Sequence, residues 1–262
     1  GRNGGGSSPT VDGLVVKFTK DGKFLLKVGR AGVPIDSSST THFAKATKVF
    51  VDPKTNEAYV ADGYGNHRVV VIDADTGVFK RFWGAYGNKP TDENLGPYDP
   101  NAPPAQQFRS AVHCAELAAD GLLYVCDRIN NRIQVFTREG KFVKEQIVAK
   151  ETLADGSAWD IAFSRDTEQK FIFLADGTNQ KVHILDRQSL QVLTAFGDGG
   201  RQPGQFFGTH SIATDSKGNL YTTETFEGKR VQRFVNKGLA PVTKPQQGVL
   251  WPPDAASRGA TR

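Results

Sequence analysis

Short runs that mix apolar and polar residues recur along the chain, separated by clusters of Gly, Asp, Asn and Ser. Four runs end in an acidic residue, and they cover 57–62, 122–127, 171–176 and 219–224. Runs this short, rich in β-branched and aromatic residues and bounded by turn residues, predict β-strands. No stretch has helical periodicity over a useful length. The pattern therefore predicts an all-β protein.

These strands recur in a fixed order. After each acidic run a polar loop leads to a second strand that opens at a basic residue, namely Arg68, Arg132, Lys181 or Arg230. Another strand precedes each acidic run, at 47–51, 113–117, 159–163 and 210–214. The acidic residues are spaced by 65, 49 and 48 residues, and a Pro-, Asn- and Asp-rich insertion at 88–107 lengthens the first interval. Such a period, with about four short strands, is typical of a β-propeller blade.

The repeat resembles a known family. Segments 59–71 and 124–136 are similar to the NHL repeat, and the resemblance covers about residues 13–237. It implies a β-propeller, a fold that hosts many functions. Four blades are complete and a fifth is half present at 14–29. Because four and a half blades do not close a ring, we predict a six-bladed propeller.

The expected domain organisation follows from this count. Residues 1–238 are predicted to form one NHL β-propeller domain, and 239–262 an extended C-terminal tail. The chain has no Met, even at position 1, and begins with a Gly- and Ser-rich stretch. We therefore expect a segment upstream of Gly1 that supplies the remaining blades.

Composition and charge narrow the function classes. The chain has 262 residues, of which 33 are basic and 28 acidic. No apolar run approaches the ~18–20 residues of a membrane-spanning helix. The basic residues are scattered, whereas nucleic-acid binding needs a basic stripe on one face. Neither a membrane span nor a nucleic-acid partner is expected.

Two histidines occupy the same position in alternate blades. Inner strands of a propeller start at the central channel, and here those starts carry Thr47, His113, Trp159 and His210. In a six-bladed ring, three histidines on alternate blades would converge on the axis and form a three-ligand zinc site with an open position. The third would precede Gly1. Alternatively, His113 and His210 are independent polar residues lining a wet channel.

Two further residues break the repeat on the same face. Arg128 follows Asp127 where the other blades have Gly or Thr, and Tyr64 follows Gly63. The acidic residues themselves recur in every blade, which indicates a structural role in capping loop N–H groups. An arginine can hold a carboxylate in a bidentate pair, and a tyrosine beside a cation can act as a general base. The alternatives are a salt bridge from Arg128 to Asp127 or Glu224, and loop packing for Tyr64.

A closer resemblance appears at these positions. Segments 62–68 and 127–134, with the spacing of His113 and His210, resemble peptidyl-α-hydroxyglycine α-amidating lyase. That family is a six-bladed propeller with a central zinc held by three histidines. It cleaves a peptidyl-α-hydroxyglycine to a peptide amide and glyoxylate.

The resemblance implies roles for individual residues. His113 and His210 would be zinc ligands, Tyr64 the general base, and Arg128 a carboxylate-binding residue. Apart from the resemblance, Trp159 at the start of an inner strand is a predicted substrate-binding residue, as is Arg128. The chain departs from the family after the last zinc histidine, because Ser211 stands where the family has an aspartate that binds calcium. This departure puts a calcium site in question.

Cys114 and Cys126 are the only cysteines. A three-residue turn at 119–121, with Gly121 suited to a positive φ, places the two directly opposite on adjacent strands. That position allows a cross-strand disulfide in an oxidising compartment, and two buried thiols fit equally well. The spacing does not match the short C-x₂₋₄-C pairs of zinc sites.

Three functions remain in competition. The first is a periplasmic or extracellular zinc-dependent lyase, a monomer that takes a small-molecule or peptide substrate at its central channel. The second is a non-catalytic NHL propeller that binds a protein or peptide partner. The third, a calcium-dependent lactonase-type hydrolase, is disfavoured because such sites need clustered carboxylates on the axis.

Overall fold

The computed structural model describes residues 11–225, 228–243 and 246–247. Within this part of the chain, regular structure consists of β-strands and one 3₁₀ turn, Ala85–Gly87. No helix in these residues has the length and apolar character of a membrane span. Residues 1–10 lie outside the described residues, and so do 244–245 and 248–262 of the expected tail 239–262. The all-β prediction is confirmed.

The chain divides into two compact units, Gly1–Ala158 and Trp159–Arg262. The prediction of one domain over 1–238 stays a prediction. Unit 1 contains one two-stranded and two four-stranded antiparallel sheets. Its strands are β1 (Val11–Phe18) and β2 (Phe24–Val33); β3 (Lys48–Asp52), β4 (Glu57–Asp62), β5 (Arg68–Asp73) and β6 (Phe79–Trp83); β7 (Val112–Leu117), β8 (Leu123–Asp127), β9 (Arg132–Phe136) and β10 (Phe142–Ile147).

Unit 2 continues the same pattern. Its first strands are β11 (Asp160–Phe163), β12 (Phe171–Asp176), β13 (Lys181–Asp186) and β14 (Val192–Phe196), followed by β15 (Thr209–Thr214), β16 (Leu220–Glu224) and β17 (Val231–Phe234). A short β18 (Gln246–Gln247) pairs in parallel with β14. Strands β11 to β14 form a meander in chain order, as do β15 to β17. The inner strands start within one residue of the predicted positions.

The core of unit 1 lies between its two four-stranded sheets. Trp83 and Phe136 pack with ring centroids 6.0 Å apart, and Phe108 lies 6.3 Å from Phe136. Strands β4, β5, β8 and β9 are buried along almost their whole length. On the other face of β4 and β5, Ala58, Val60, Val70 and Ile72 pack in a second cluster with Phe43, so these two strands can be apolar on both faces.

The repeated acidic residues hold the loops that follow the second strand of each blade. Asp62 and Asp127 are fully buried, and they pair with Arg68 at 2.9 Å and Arg132 at 2.8 Å. The Asp127 carboxylate also accepts a hydrogen bond from the side chain of Asn130 at 2.7 Å. Loop N–H groups also donate to these carboxylates, Ala44 to Asp62 at 2.7 Å and Arg109 to Asp127 at 3.1 Å, which confirms the predicted capping role.

Unit 2 has a variation of this ion pair. Lys181 stands at the position of the arginine, while the buried Asp176 pairs with His183, two residues further on, at 3.0 Å. Side chains at this second position point to the same carboxylate because alternate residues of a strand share a face.

Cys114 of β7 lies opposite Cys126 of β8, and the two fully buried cysteines form a disulfide. The bond joins the residue after His113 to the residue before Asp127. Because a closed loop restricts the unfolded chain, we expect the double variant Cys114→Ala/Cys126→Ala to lose about 2–4 kcal/mol of stability. Urea unfolding of the variant and of oxidised wild type measures the difference. Equal midpoints and slopes for the two proteins would contradict the expectation.

Candidate functional site

Both histidines singled out by the sequence lie in β-bulges. The pairing of β7 with β8 shifts register between Val112 and Cys114, so His113 has no residue opposite it. The pairing of β15 with β16 shifts in the same way between Thr209 and Ser211, around His210. A bulge bends the strand and re-aims a side chain. In both blades the orientation of the imidazole is therefore set by a β-bulge.

The Tyr64 loop lies directly against the start of β7. A Cβ on Gly63 would come within 2.0 Å of the Val112 carbonyl oxygen, so only glycine allows this approach. The Ser110 hydroxyl donates to the carbonyl oxygen of Tyr64 at 3.1 Å. As a result the Tyr64 ring stands edge-on to the His113 imidazole, with centroids 5.7 Å apart.

The Tyr64 hydroxyl lies between an imidazole and a guanidinium. Its oxygen is 3.1 Å from His113 Nε2 and 3.3 Å from Arg128 Nη1. A guanidinium can only donate, so the phenolic oxygen accepts from Arg128. The phenolic proton can then point to Nε2 of a neutral imidazole. The Arg128 guanidinium also lies over the Tyr64 ring, 5.4 Å from its centroid, in a cation–π contact. The structure thus brings three predicted site residues together.

A fourth residue at this site was missed by the sequence reasoning. Asp155, in the loop between β10 and β11, places its Oδ1 atom 3.7 Å from Arg128 Nη2. The sequence shows an Asp-Gly pair at 155–156, which predicts a turn. It does not indicate that the Asp155 side chain faces Arg128.

The remaining predicted site residues belong to unit 2. Trp159 is buried, and its ring stands edge-on to the His210 imidazole with centroids 5.3 Å apart. His210 Nδ1 is 3.2 Å from the Ser211 hydroxyl. A partner on one ring nitrogen fixes the orientation of the imidazole. Ser211, which stands where the resembled family has a calcium-binding aspartate, contacts His210.

The donor chemistry of both histidines suits zinc, since imidazole nitrogen is among its usual ligands. The described residues do not complete such a site: none of their His, Cys, Asp and Glu side chains form a group of three or more that could hold a metal ion. The two histidines therefore match zinc only in the type of donor atom. Further ligands would have to come from outside the described residues.

Comparison with known proteins places the chain among two groups of relatives. No family model matches it. Peptidyl-glycine alpha-amidating monooxygenase B of Xenopus laevis is 38% identical over 122 residues, 46% of this chain and 12% of the relative. NHL repeat-containing protein 3 of Mus musculus is 26% identical over 236 residues, 84% of this chain and 58% of the relative.

The predicted resemblance is confirmed. The chain spans only about an eighth of the length of the alpha-amidating monooxygenase that it matches. Virginiamycin B lyase from Staphylococcus aureus superposes with a TM-score of 0.51 at 14% identity, covering 86% of this chain and 64% of that one. Kuenenia stuttgartiensis hydrazine synthase gives the same TM-score and identity, over 77% and 49%. At this identity the likeness concerns the fold alone, and with the meander sheets it confirms the β-propeller class.

Proposed function

We propose that this protein is a zinc-dependent lyase that cleaves a peptidyl-α-hydroxyglycine, or a similar α-hydroxy amide, to an amide and glyoxylate. The observation that carries the proposal is the contact of the Tyr64 hydroxyl with His113 and Arg128. The similarity to peptidyl-glycine alpha-amidating monooxygenases supports it, because those proteins include a lyase domain.

Tyr64 serves as the general base. Its phenolate form takes the proton of the substrate hydroxyl, and the electrons of that O–H bond form the carbonyl of glyoxylate as the C–N bond breaks. The electron pair of the broken bond leaves with the amide nitrogen, which takes back the proton that Tyr64 removed from the hydroxyl. The Arg128 guanidinium, 3.3 Å from the phenolic oxygen, stabilises the phenolate charge.

Substrate contacts are assigned to two residues. The Arg128 guanidinium suits the substrate carboxylate, because an arginine can bind a carboxylate through two parallel hydrogen bonds. The second residue predicted to bind the substrate is Trp159, whose indole is apolar. The hydroxyl oxygen of the substrate would be polarised by a bound zinc ion. His113 and His210 are the ligands that the resemblance assigns to it.

The finer features of the molecule are part of the same proposal. We place this chain in a six-bladed NHL propeller that acts as a monomer in the periplasm or outside the cell and uses no calcium and no nucleic acid. The Cys114–Cys126 disulfide supports an oxidising compartment, since disulfides are rare in the cytosol.

One observation favours a different function. The alignment with NHL repeat-containing protein 3 covers 84% of the chain, against 46% for the alpha-amidating monooxygenase. A non-catalytic NHL propeller that binds a protein or peptide partner would account for that longer similarity.

Metal analysis separates the two functions. We expect about one zinc per chain in the wild type, and its loss in His113→Ala and in His210→Ala, because each variant removes one of very few ligands. His67→Ala is the matched control: His67 bonds the Thr91 carbonyl oxygen in an exposed loop, and this variant should keep its zinc. A folded wild type that takes up no zinc from a saturating solution would favour the binding protein.

A further inference from the structure

The guanidinium of Arg128 already faces a carboxylate of its own chain. Asp155 Oδ1 lies 3.7 Å from Arg128 Nη2, beyond the ~2.7–2.9 Å of a charge-assisted hydrogen bond. The Arg128 side chain is 8% exposed and that of Asp155 is 43% exposed. Solvent reaches the Asp155 carboxylate and the distance is long, so the contact is weak, near the about 0–1 kcal/mol of ion pairs that are open to solvent. Asp155 is therefore close enough to attract Arg128, and a ligand can displace it.

The backbone beside Asp155 is fixed against Arg128. Gly156 adopts a φ of +73°, and a Cβ there would lie 2.0 Å from the Arg128 carbonyl oxygen. The buried Asn131 closes the loop from inside: its Oδ1 accepts from the Ser157 N–H at 2.8 Å, and its Nδ2 donates to the Thr152 carbonyl oxygen at 2.8 Å. The loop backbone therefore holds Asp155 next to Arg128.

The insertion at 88–107 braces the same loop. The Tyr98 hydroxyl donates to the carbonyl oxygen of Lys150 at 2.9 Å. Arg109, just after the insertion, donates from Nε to Asn130 Oδ1 at 2.7 Å and from Nη1 to the Leu95 carbonyl oxygen at 3.1 Å. These bonds connect the insertion to both segments that carry the Arg128–Asp155 pair.

We infer that Asp155 is a specificity-determining residue that competes with a ligand carboxylate for Arg128. The inference rests on the proposed function, which assigns Arg128 to the substrate carboxylate. A carboxylate that forms two short bonds to the guanidinium replaces the longer Asp155 contact, but it must overcome the repulsion of a second negative charge nearby. Small carboxylates without further contacts are thus held weakly, so substrates need an acyl part and the small carboxylate product leaves readily.

Asp155→Asn tests this competition, because it removes the charge and keeps the shape of the side chain. N-acetylglycine, a carboxylate that lacks the reactive hydroxyl, serves as the probe, and calorimetric titration of the zinc-loaded full chain measures its affinity. We expect Asp155→Asn to bind the probe about fivefold more tightly than the wild type, the size of a partly exposed ion pair. Asp155→Ser should show the same direction, which guards against an effect of the amide.

Two further variants make the result specific. Glu151→Gln removes one negative charge from an exposed position in the same loop, and its affinity should equal that of the wild type because solvent and salt screen that charge. Arg128→Gln should lose at least tenfold in affinity for the probe.

The results for these variants distinguish a failure of the Asp155 role from a failure of the proposed lyase function. Weaker binding in Arg128→Gln, with no gain in either Asp155 variant or an equal gain in Glu151→Gln, overturns the role of Asp155 and leaves the proposed function intact. If Arg128→Gln binds the probe like the wild type, or the wild type does not bind it at all, Arg128 is not the carboxylate site, and the proposed function and the inference fail together.

Discussion

Tyr64→Phe lowers kcat for cleavage of an α-hydroxyhippurate substrate by about 10²–10⁴-fold, the usual contribution of a general base. The phenylalanine keeps the ring that stands against His113 and removes only the oxygen that meets His113 Nε2 and Arg128 Nη1. Zinc content should equal that of the wild type, because Tyr64 is not assigned as a ligand. Steady-state kinetics and metal analysis of the same preparation measure both.

A matched tyrosine controls for the loss of a hydroxyl group. Tyr221 donates its hydroxyl to Asp215 Oδ2 in unit 2, and Tyr221→Phe should retain kcat within about twofold. Wild-type turnover in Tyr64→Phe would exclude Tyr64 as the base. A Tyr64→Phe protein that has lost its zinc would assign the residue to the metal site instead.

Arg132→Met has the largest expected effect on stability, a loss of about 3–5 kcal/mol. Its partner Asp127 is fully buried, and burial raises the pKa of that carboxyl while the positive charge of Arg132 lowers it. Without Arg132 the carboxyl stays buried with no opposite charge at 2.8 Å, and the loop that it holds loses its anchor. Urea unfolding followed by circular dichroism measures the loss.

An exposed ion pair provides the comparison. Lys170 lies 3.2 Å from Glu168, with side chains 56% and 72% exposed, so Lys170→Met should change stability by less than about 1 kcal/mol. If both variants lose the same free energy of unfolding, burial is not the reason why the Asp127–Arg132 pair contributes to stability.

The blades could be predicted because their signal repeats. Each recurrence of an acidic residue, a polar loop and a basic strand start supported the others. The first three strands of the four complete blades begin within one residue of the expected starts, whereas β1 begins at Val11 rather than at Leu14. The opposite placement of Cys114 and Cys126 followed from one turn, since pairing in a hairpin is set by its loop. The repeat in the sequence is therefore sufficient to predict the strands of each blade.

The arrangement of the site residues could not be predicted from the sequence. The bulges at His113 and His210 add one residue to a strand and leave no mark in the alternation of apolar and polar positions. Asp155 lies 27 residues beyond Arg128, in a loop whose path depends on the side chain of Asn131. His183 replaces the arginine of the other blades from two positions further along, so a search at the fixed position finds Lys181.

Product formation from α-hydroxyhippurate is the most direct measurement of the proposed function. We expect the zinc-loaded full chain to release benzamide and glyoxylate in equal amounts, far above the rate in buffer, and expect this activity to disappear in Tyr64→Phe and Arg128→Gln. Release at the buffer rate by folded, zinc-loaded protein would contradict the lyase function.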